Sequence, residues 1–283
     1  MTTTPVTAPT TGLLDVGDAR LHYELRGSGP LVVLVAAPMD ADAFAPLADL
    51  LATDRTVLTT DPRGIRRSTV GDPDADATVE LRADDVAALV AHVGLGPAEL
   101  VLGSSGGAVT VLDLATRHPD AARVVLAHEP PLHAVLPDDA ELAERTRRMV
   151  DTHLSGDVVG AWQQFMEIAD IPMPPELVAQ MFGGDRSPQD VADDHMQFAH
   201  MLWPTVRYRP DVDALRASPT RVVVGIGEES AGQLCDRSSR ALAALLGVEP
   251  VLFPSDHIGF VEDPPAFAAR LREVLLPAPP TAA

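Results

Sequence analysis

The chain contains no lysine: its 21 basic residues are all arginine, set against 41 Asp and Glu, for a formal net charge of -20 over 283 residues. A surface that tracks a phosphate backbone needs clustered cations, so no nucleic-acid partner is expected. A Walker phosphate loop, which requires lysine, cannot be built. One cysteine is present, Cys235. It can form no internal disulfide, and a reducing cytoplasm is the expected compartment. No window of about 18 residues is continuously apolar, so no membrane partner is expected. Residues 1–12 are rich in Thr and Pro, lack the basic and apolar segments of a secretion signal, and read as a flexible tail, with 278–283 as a second one.

The hydrophobic pattern supplies the architecture. Residues 13–18 and 20–25 read as a hairpin about Gly17-Asp18, followed by a turn at Gly27-Ser28-Gly29-Pro30. Short apolar runs at 31–35, 56–60, 100–102 and 123–127 then alternate with amphipathic helical patterns over 42–51, 79–93 and 107–117, as buried parallel strands and their crossover helices do. After Glu129 the alternation stops for roughly eighty residues, and 138–203 holds only helical stretches broken by Pro and Gly. Strand character returns at 221–225 and 250–253, with helices over 231–246 and 265–275. The fold class is therefore α/β, a doubly wound, mostly parallel sheet of about eight strands. Its core is divided into 13–134 and 211–277 by a helical cap at 135–210. No internal repeat is evident.

Gly103-Ser104-Ser105-Gly106-Gly107 lies between an apolar run ending at Leu102 and a helical pattern beginning at Ala108. A sharp strand-to-helix turn strains its central residue and leaves no room for neighbouring Cβ atoms, so the glycines suit a nucleophile elbow with Ser105 at its tip. The Gly106 amide, at a helix start, could bind an oxygen that becomes negative during reaction. The same five residues also occur as an ordinary loop; the strand before and the helix after favour the elbow.

With that context the chain resembles the α/β-hydrolase superfamily over nearly its whole length. Asp61-Pro62-Arg63-Gly64-Ile65-Arg66-Arg67-Ser68 is similar to the family's D-x-R-G-x-G-x-S loop, with Arg66 in place of the second glycine. Asp256-His257-Ile258-Gly259 resembles the histidine loop after the last strand. Val35-Ala36-Ala37-Pro38 stands where the family has His-Gly, which makes the Ala37 amide the second oxyanion donor implied by the resemblance. His257 is then the general base for Ser105. The acid departs from the common pattern, because Gly227-Glu228-Glu229-Ser230 puts serine where the family often has aspartate. Some members, certain haloalkane dehalogenases and lipases among them, take the acid from the end of the strand after the elbow helix, and Glu129 occupies that place. Glu129 is preferred, with Glu229 and Glu228 as alternatives. A bland reading also stands, in which Glu129 caps a turn before Pro130-Pro131 and a backbone carbonyl orients His257.

Other signals carry less. His128 and His133 are five apart with two prolines between them, so no zinc-binding helix and no metal is implied. Gly225-Ile226-Gly227 lacks the third glycine of a dinucleotide fingerprint, and no cofactor is expected. Cys235 falls in a helical pattern and reads as packing. His195 and His200, also five apart, do not share an α-helical face. The cap is rich in Met and aromatics, from Trp162 to Trp203, most of which would pack while a few line a pocket.

The expected function is a serine-dependent hydrolase acting on a small to medium apolar ester, lactone or related carbonyl compound through an acyl-enzyme on Ser105. Esterase or lactonase chemistry ranks above thioesterase or carbon–carbon hydrolysis. Dehalogenase and epoxide hydrolase chemistry is disfavoured, since those relatives carry aspartate at the Ser105 position. The alternatives are non-hydrolytic: a small-molecule receptor, or a cofactor-free oxygenase or lyase with His257 as base.

Overall fold

A computed structural model describes residues 8–275. Strands β1 (Thr10–Asp15) and β2 (Ala19–Gly27) form the hairpin, followed by β3 (Leu31–Ala37), a 3-10 turn at Ala41–Phe44, α1 (Ala45–Leu51), β4 (Thr56–Thr60) and the two-residue β5 (Thr69–Val70). Next come α2 (Val79–Val93), β6 (Leu100–Ser105), α3 (Gly106–Arg117) and β7 (Val124–His128). A helical insertion follows: α4 (Asp139–Leu154), α5 (Val158–Ala169), α6 (Pro175–Phe182), α7 (Pro188–His195), a π-helical turn at Met196–Met201 and α8 (Leu202–Val206). The chain returns to the sheet through α9 (Val212–Ala217), β8 (Arg221–Gly227), α10 (Leu234–Leu246), β9 (Val251–Phe253), α11 (Gly259–Glu262) and α12 (Pro264–Leu275).

Nine strands pair in the order β1-β2-β4-β3-β6-β7-β8-β9, with β5 on the side of β2. Pairing is antiparallel where β2 meets β1, β4 and β5, and parallel from β4 through β9. Every residue of β3 is buried, as a strand covered on both faces must be. Val33 and Val35 point into a core shared with α2, α3 and α10, while Val32 and Leu34 point into one shared with α1 and α12. The insertion has a smaller core of its own, in which Trp162 stacks on Phe182 at 4.0 Å and meets Phe198 edge-on.

The sequence reading differs in two places. Thr10 to Gly12, assigned to a tail, are the first residues of β1, paired with Leu25, Glu24 and Tyr23; pairing with a partner strand ordered a segment whose composition argued against structure. Residues 1–7 of that tail, and the second tail, 278–283, lie outside the described residues. The strand β5 was not anticipated, since two residues carry no periodicity.

α3 crosses β3 closely. A Cβ on Gly107 would stand 2.4 Å from the Val35 carbonyl oxygen and 2.7 Å from Ala36 Cα, both backbone atoms. Gly107→Ala is therefore expected to destabilise the fold by roughly 2–3 kcal/mol, measurable as a lower urea midpoint; an unchanged midpoint would contradict the crossing.

Candidate active site

Ser105 is the last residue of β6 and the cap of α3, with φ 55° and ψ -121°. An L-residue holds that conformation only where its surroundings impose it. Its hydroxyl makes no capping bond to the helix and is left free. The Gly106 amide begins α3 beside it, and Ala37, the end of β3, pairs in register with Ser105. The two amides nominated for the oxyanion thus belong to adjoining strand ends. Ala37, Ser105, Gly106 and His257 all line one partly enclosed cavity.

Glu129 directly follows β7 with φ 53° and is completely buried. Its Oε1 accepts a 2.8 Å bond from the Gly227 amide, and its Oε2 lies 2.5 Å from His257 Nδ1. Both oxygens are thereby engaged, and the bland reading of Glu129 as a turn cap fails on this geometry. Glu228 and Glu229 are exposed, and their amides bond to the Phe253 and Ser255 carbonyls. Among the described residues neither carboxylate joins an ion pair. Ser230, at the position where the family often has aspartate, is buried beside the Glu129 carboxylate without forming a well-aligned hydrogen bond to it.

Burial, the largest single influence, would raise the Glu129 pKa, but the hydrogen bond from His257 and the charge of that ring, with smaller contributions from His128 and Ser230, together outweigh it and the value falls to about 2. For His257 burial works downward; Cys235 next to the ring and then the Glu129 carboxylate raise it, and the net lies well above the ordinary 6.5. Two residues had not been foreseen in this setting. Cys235, read as packing, does lie in α10 and is buried, but it forms part of the cavity wall. Its Sγ, a His257 nitrogen and a Glu129 oxygen lie within 4.8 Å of one another. No hydrogen bond joins Ser105 to His257, so the serine and the imidazole share a cavity without direct contact. His128, just before Glu129, is fully buried behind the site against Phe253 and Phe267; desolvation lowers its pKa to about 4 and leaves it neutral.

Two groups among the described residues have the donor spacing of an ion site. In the Glu129, Cys235 and His257 group, the carboxylate and the ring are in direct contact at 2.5 Å. The other group is Asp74, His195 and His200. Here the expectation that histidines five apart cannot share a face is corrected: the intervening turn is π-helical, with i to i+5 periodicity, and brings the rings to 5.3 Å.

The insertion supplies the rest of the cavity wall. Of its Met and aromatic residues, Met149, Phe165 and Met201 face the cavity, while Phe182 and Phe198 pack on Trp162. The loop that resembles D-x-R-G-x-G-x-S sits next to it. Arg66 has φ 49°, and its guanidinium pairs with Asp40 of the core and with Asp190 and Asp193 of α7.

A parallel sheet flanked by helices on both faces, with a serine on a strained strand-to-helix turn and a histidine–carboxylate pair beside it, is the architecture of an α/β hydrolase. The comparisons agree. The alpha/beta hydrolase family model matches residues 31–270, and the chain belongs to that family. It is 32% identical over 277 residues to the uncharacterized hydrolase YraK of Bacillus subtilis, covering 93% of this chain and 95% of that protein. It is 26% identical over 267 residues to the zearalenone hydrolase of Bionectria ochroleuca, covering 89% and 92% respectively. The crystal structure of an alpha/beta hydrolase from Sphaerobacter thermophilus aligns with a TM-score of 0.70 and 26% identity, over 94% of this chain and all of that one. No helix among the described residues is long and apolar enough to cross a membrane.

The electrostatics can be checked directly. An NMR titration should place the His257 pKa above 6.5, and Glu129→Gln should lower it by removing the carboxylate that favours the charged ring. A value that stays put in the variant would mean that the contact has no electrostatic weight.

Proposed function

We propose that the protein is a serine-dependent carboxylic ester hydrolase, turning over a small to medium apolar ester or lactone through an acyl-enzyme on Ser105. One observation carries the reading. An uncapped serine hydroxyl on a strained turn opens into the same cavity as a histidine whose Nδ1 is held by a buried carboxylate.

In this reading Glu129 fixes the tautomer, so that Nδ1 carries the proton and Nε2 is the free base. Substrate entry brings Ser105 Oγ and Nε2 into hydrogen-bond distance, a closure that apo sites often lack. Oγ attacks the carbonyl carbon, Nε2 takes its proton, and the Gly106 and Ala37 amides receive the oxyanion. The imidazolium protonates the leaving alkoxide. Water, deprotonated by the same ring, then releases the acid. Glu129 stabilises the imidazolium at both stages without itself taking the proton. The helical insertion acts as the cap, its Met, Phe and Leu side chains excluding water and shaping the acyl site. The sequence uses no cofactor or metal and needs no partner besides substrate. A ring with Cys235 beside it and no bond to Ser105 also fits a receptor or a lyase-type base, which the following test separates.

A fluorophosphonate should label the protein at Ser105, and Ser105→Ala should abolish labelling and ester turnover. On p-nitrophenyl esters of graded chain length, kcat/KM should fall as pH drops through the His257 pKa, above 6.5, because only the neutral ring is a base. Glu129→Gln should cut kcat by about 10²–10⁴ and move the acid limb to lower pH, while Glu228→Gln and Glu229→Gln change little. Absent labelling and turnover would leave the non-hydrolytic readings.

A further inference from the structure

The cavity wall is apolar except at a few points, and most of those are already occupied. Thr146 Oγ1 donates to the Leu142 carbonyl at 2.8 Å; Thr205 Oγ1 donates to the Met201 carbonyl at 2.6 Å and accepts from Arg82 at 2.6 Å. Ser105 and His257, with Cys235 beside the ring, form the reacting end, and Gln233 is only half-buried. Two further polar side chains in the wall are buried and unengaged. His133 follows Pro130-Pro131 in a 3-10 turn, is 1% exposed, and its Nδ1 has no hydrogen-bond partner. Gln197 lies on the π-helical turn, is 6% exposed, and its carboxamide bonds to no described residue. Both line the cavity that holds Ser105.

A buried polar group without a partner is destabilising, and protein interiors rarely tolerate it without a reason. His133 Nδ1 is such an atom, and the Gln197 carboxamide stands in the same cavity wall with no partner among the described residues, so a ligand atom would satisfy both. Desolvation lowers the His133 pKa to about 4, so the ring is neutral and offers one donor and one acceptor. Gln197 offers the same pair of roles. No arginine lines this cavity, so away from His257 a carboxylate or phosphate would find no counter-charge, whereas a hydroxyl both donates and accepts. The π-turn supports the assignment, since it carries Gln197 and Met201 in the cavity wall, and such turns recur at functional sites.

We infer that His133 and Gln197 form a hydroxyl-recognition subsite, and that the ligand of this cavity is an apolar ester or lactone carrying a neutral hydroxyl away from its carbonyl. The ester part of this inference rests on the proposed serine hydrolase; the hydroxyl part does not.

The test keeps the two apart by measuring binding without turnover. Ser105→Ala protein is titrated by calorimetry with a graded series of ω-hydroxy methyl esters and with the plain esters of equal length. At the chain length that reaches the subsite, the hydroxylated ester should bind about tenfold more tightly, the worth of one well-made hydrogen bond to a group otherwise unpaired. Adding His133→Leu or Gln197→Leu should bring the ratio close to one while leaving plain-ester affinity within about twofold. Circular dichroism checks the fold of each variant, and if His133→Leu does not fold, Gln197→Leu decides. Equal binding of both series across all lengths would overturn the inference, as would variants that weaken both esters in parallel. In the active protein the same preference should appear in kcat/KM. A binding preference without turnover would sink the hydrolase reading and leave the subsite standing.

Discussion

Parallel pairing of β3, β6, β7, β8 and β9 aligns their C-terminal ends along one edge of the sheet, and the candidate chemistry depends on that alignment. Ala37 ends β3, Ser105 ends β6, Glu129 follows β7, Gly227 ends β8 and His257 lies four residues past Phe253, the end of β9. Residues up to 220 positions apart in sequence therefore meet without any of them being near another in the chain. Two of the strand ends share a local device: Ser105 and Glu129 both take positive φ. Each turns the chain abruptly as the strand finishes, which lifts the side chain off the sheet. The cost is of order 1–3 kcal/mol each, borne by the rigid core on both faces.

The electrostatics follow from the same edge. Glu129 can stay ionised with no solvent exposure because the Gly227 amide, from the end of the adjoining strand, takes one oxygen and His257 the other. A buried carboxylate with a single partner would protonate instead. The chain's large acidic excess plays no part here: this carboxylate is stabilised by one amide and one ring, while the surface charge stays in water.

How much of this was legible in sequence depends on whether local or tertiary forces decided it. α2 was read at its observed limits, Val79–Val93, from its amphipathic pattern, and the structure shows that local signals set those limits: Thr78 caps its start and Gly94, in the left-handed region, ends it. The elbow was legible although part of its cause is tertiary: Gly103 answers a steric demand within the turn itself, Gly106 and Gly107 one from the β3 backbone, and all three glycines stand together in the sequence. Glu129 was different. Nothing in His128-Glu129-Pro130 tells that a carboxylate will reach a histidine 128 positions on; resemblance to relatives nominated it, and the parallel register brings the pair together. Cys235 could be placed on a helix but not beside His257, because that depends on how α10 packs against β8. The π-turn at Met196–Met201 was illegible altogether. An α-helical period was assumed for that stretch, and one extra residue in the turn reversed the conclusion for His195 and His200.

Arg66 ties the loop to the insertion, and the departure from the family-like glycine has a physical consequence there. A non-glycine residue at φ 49° is strained, yet its amide donates to Asp193 Oδ1 at 3.0 Å and its guanidinium meets Asp40, Asp190 and Asp193. Each partly exposed pair is worth little alone, but three carboxylates around one cation hold the end of α7 against the core at a fixed point. α7 runs directly into the π-turn, and the π-turn carries Gln197 and Met201 to the cavity wall. A glycine at position 66 would satisfy the backbone and give up the anchor. The arginine accepts local strain and in return couples the motif loop to the position of the insertion, so that the shape of the cavity above Ser105 is set partly by a residue that does not touch it.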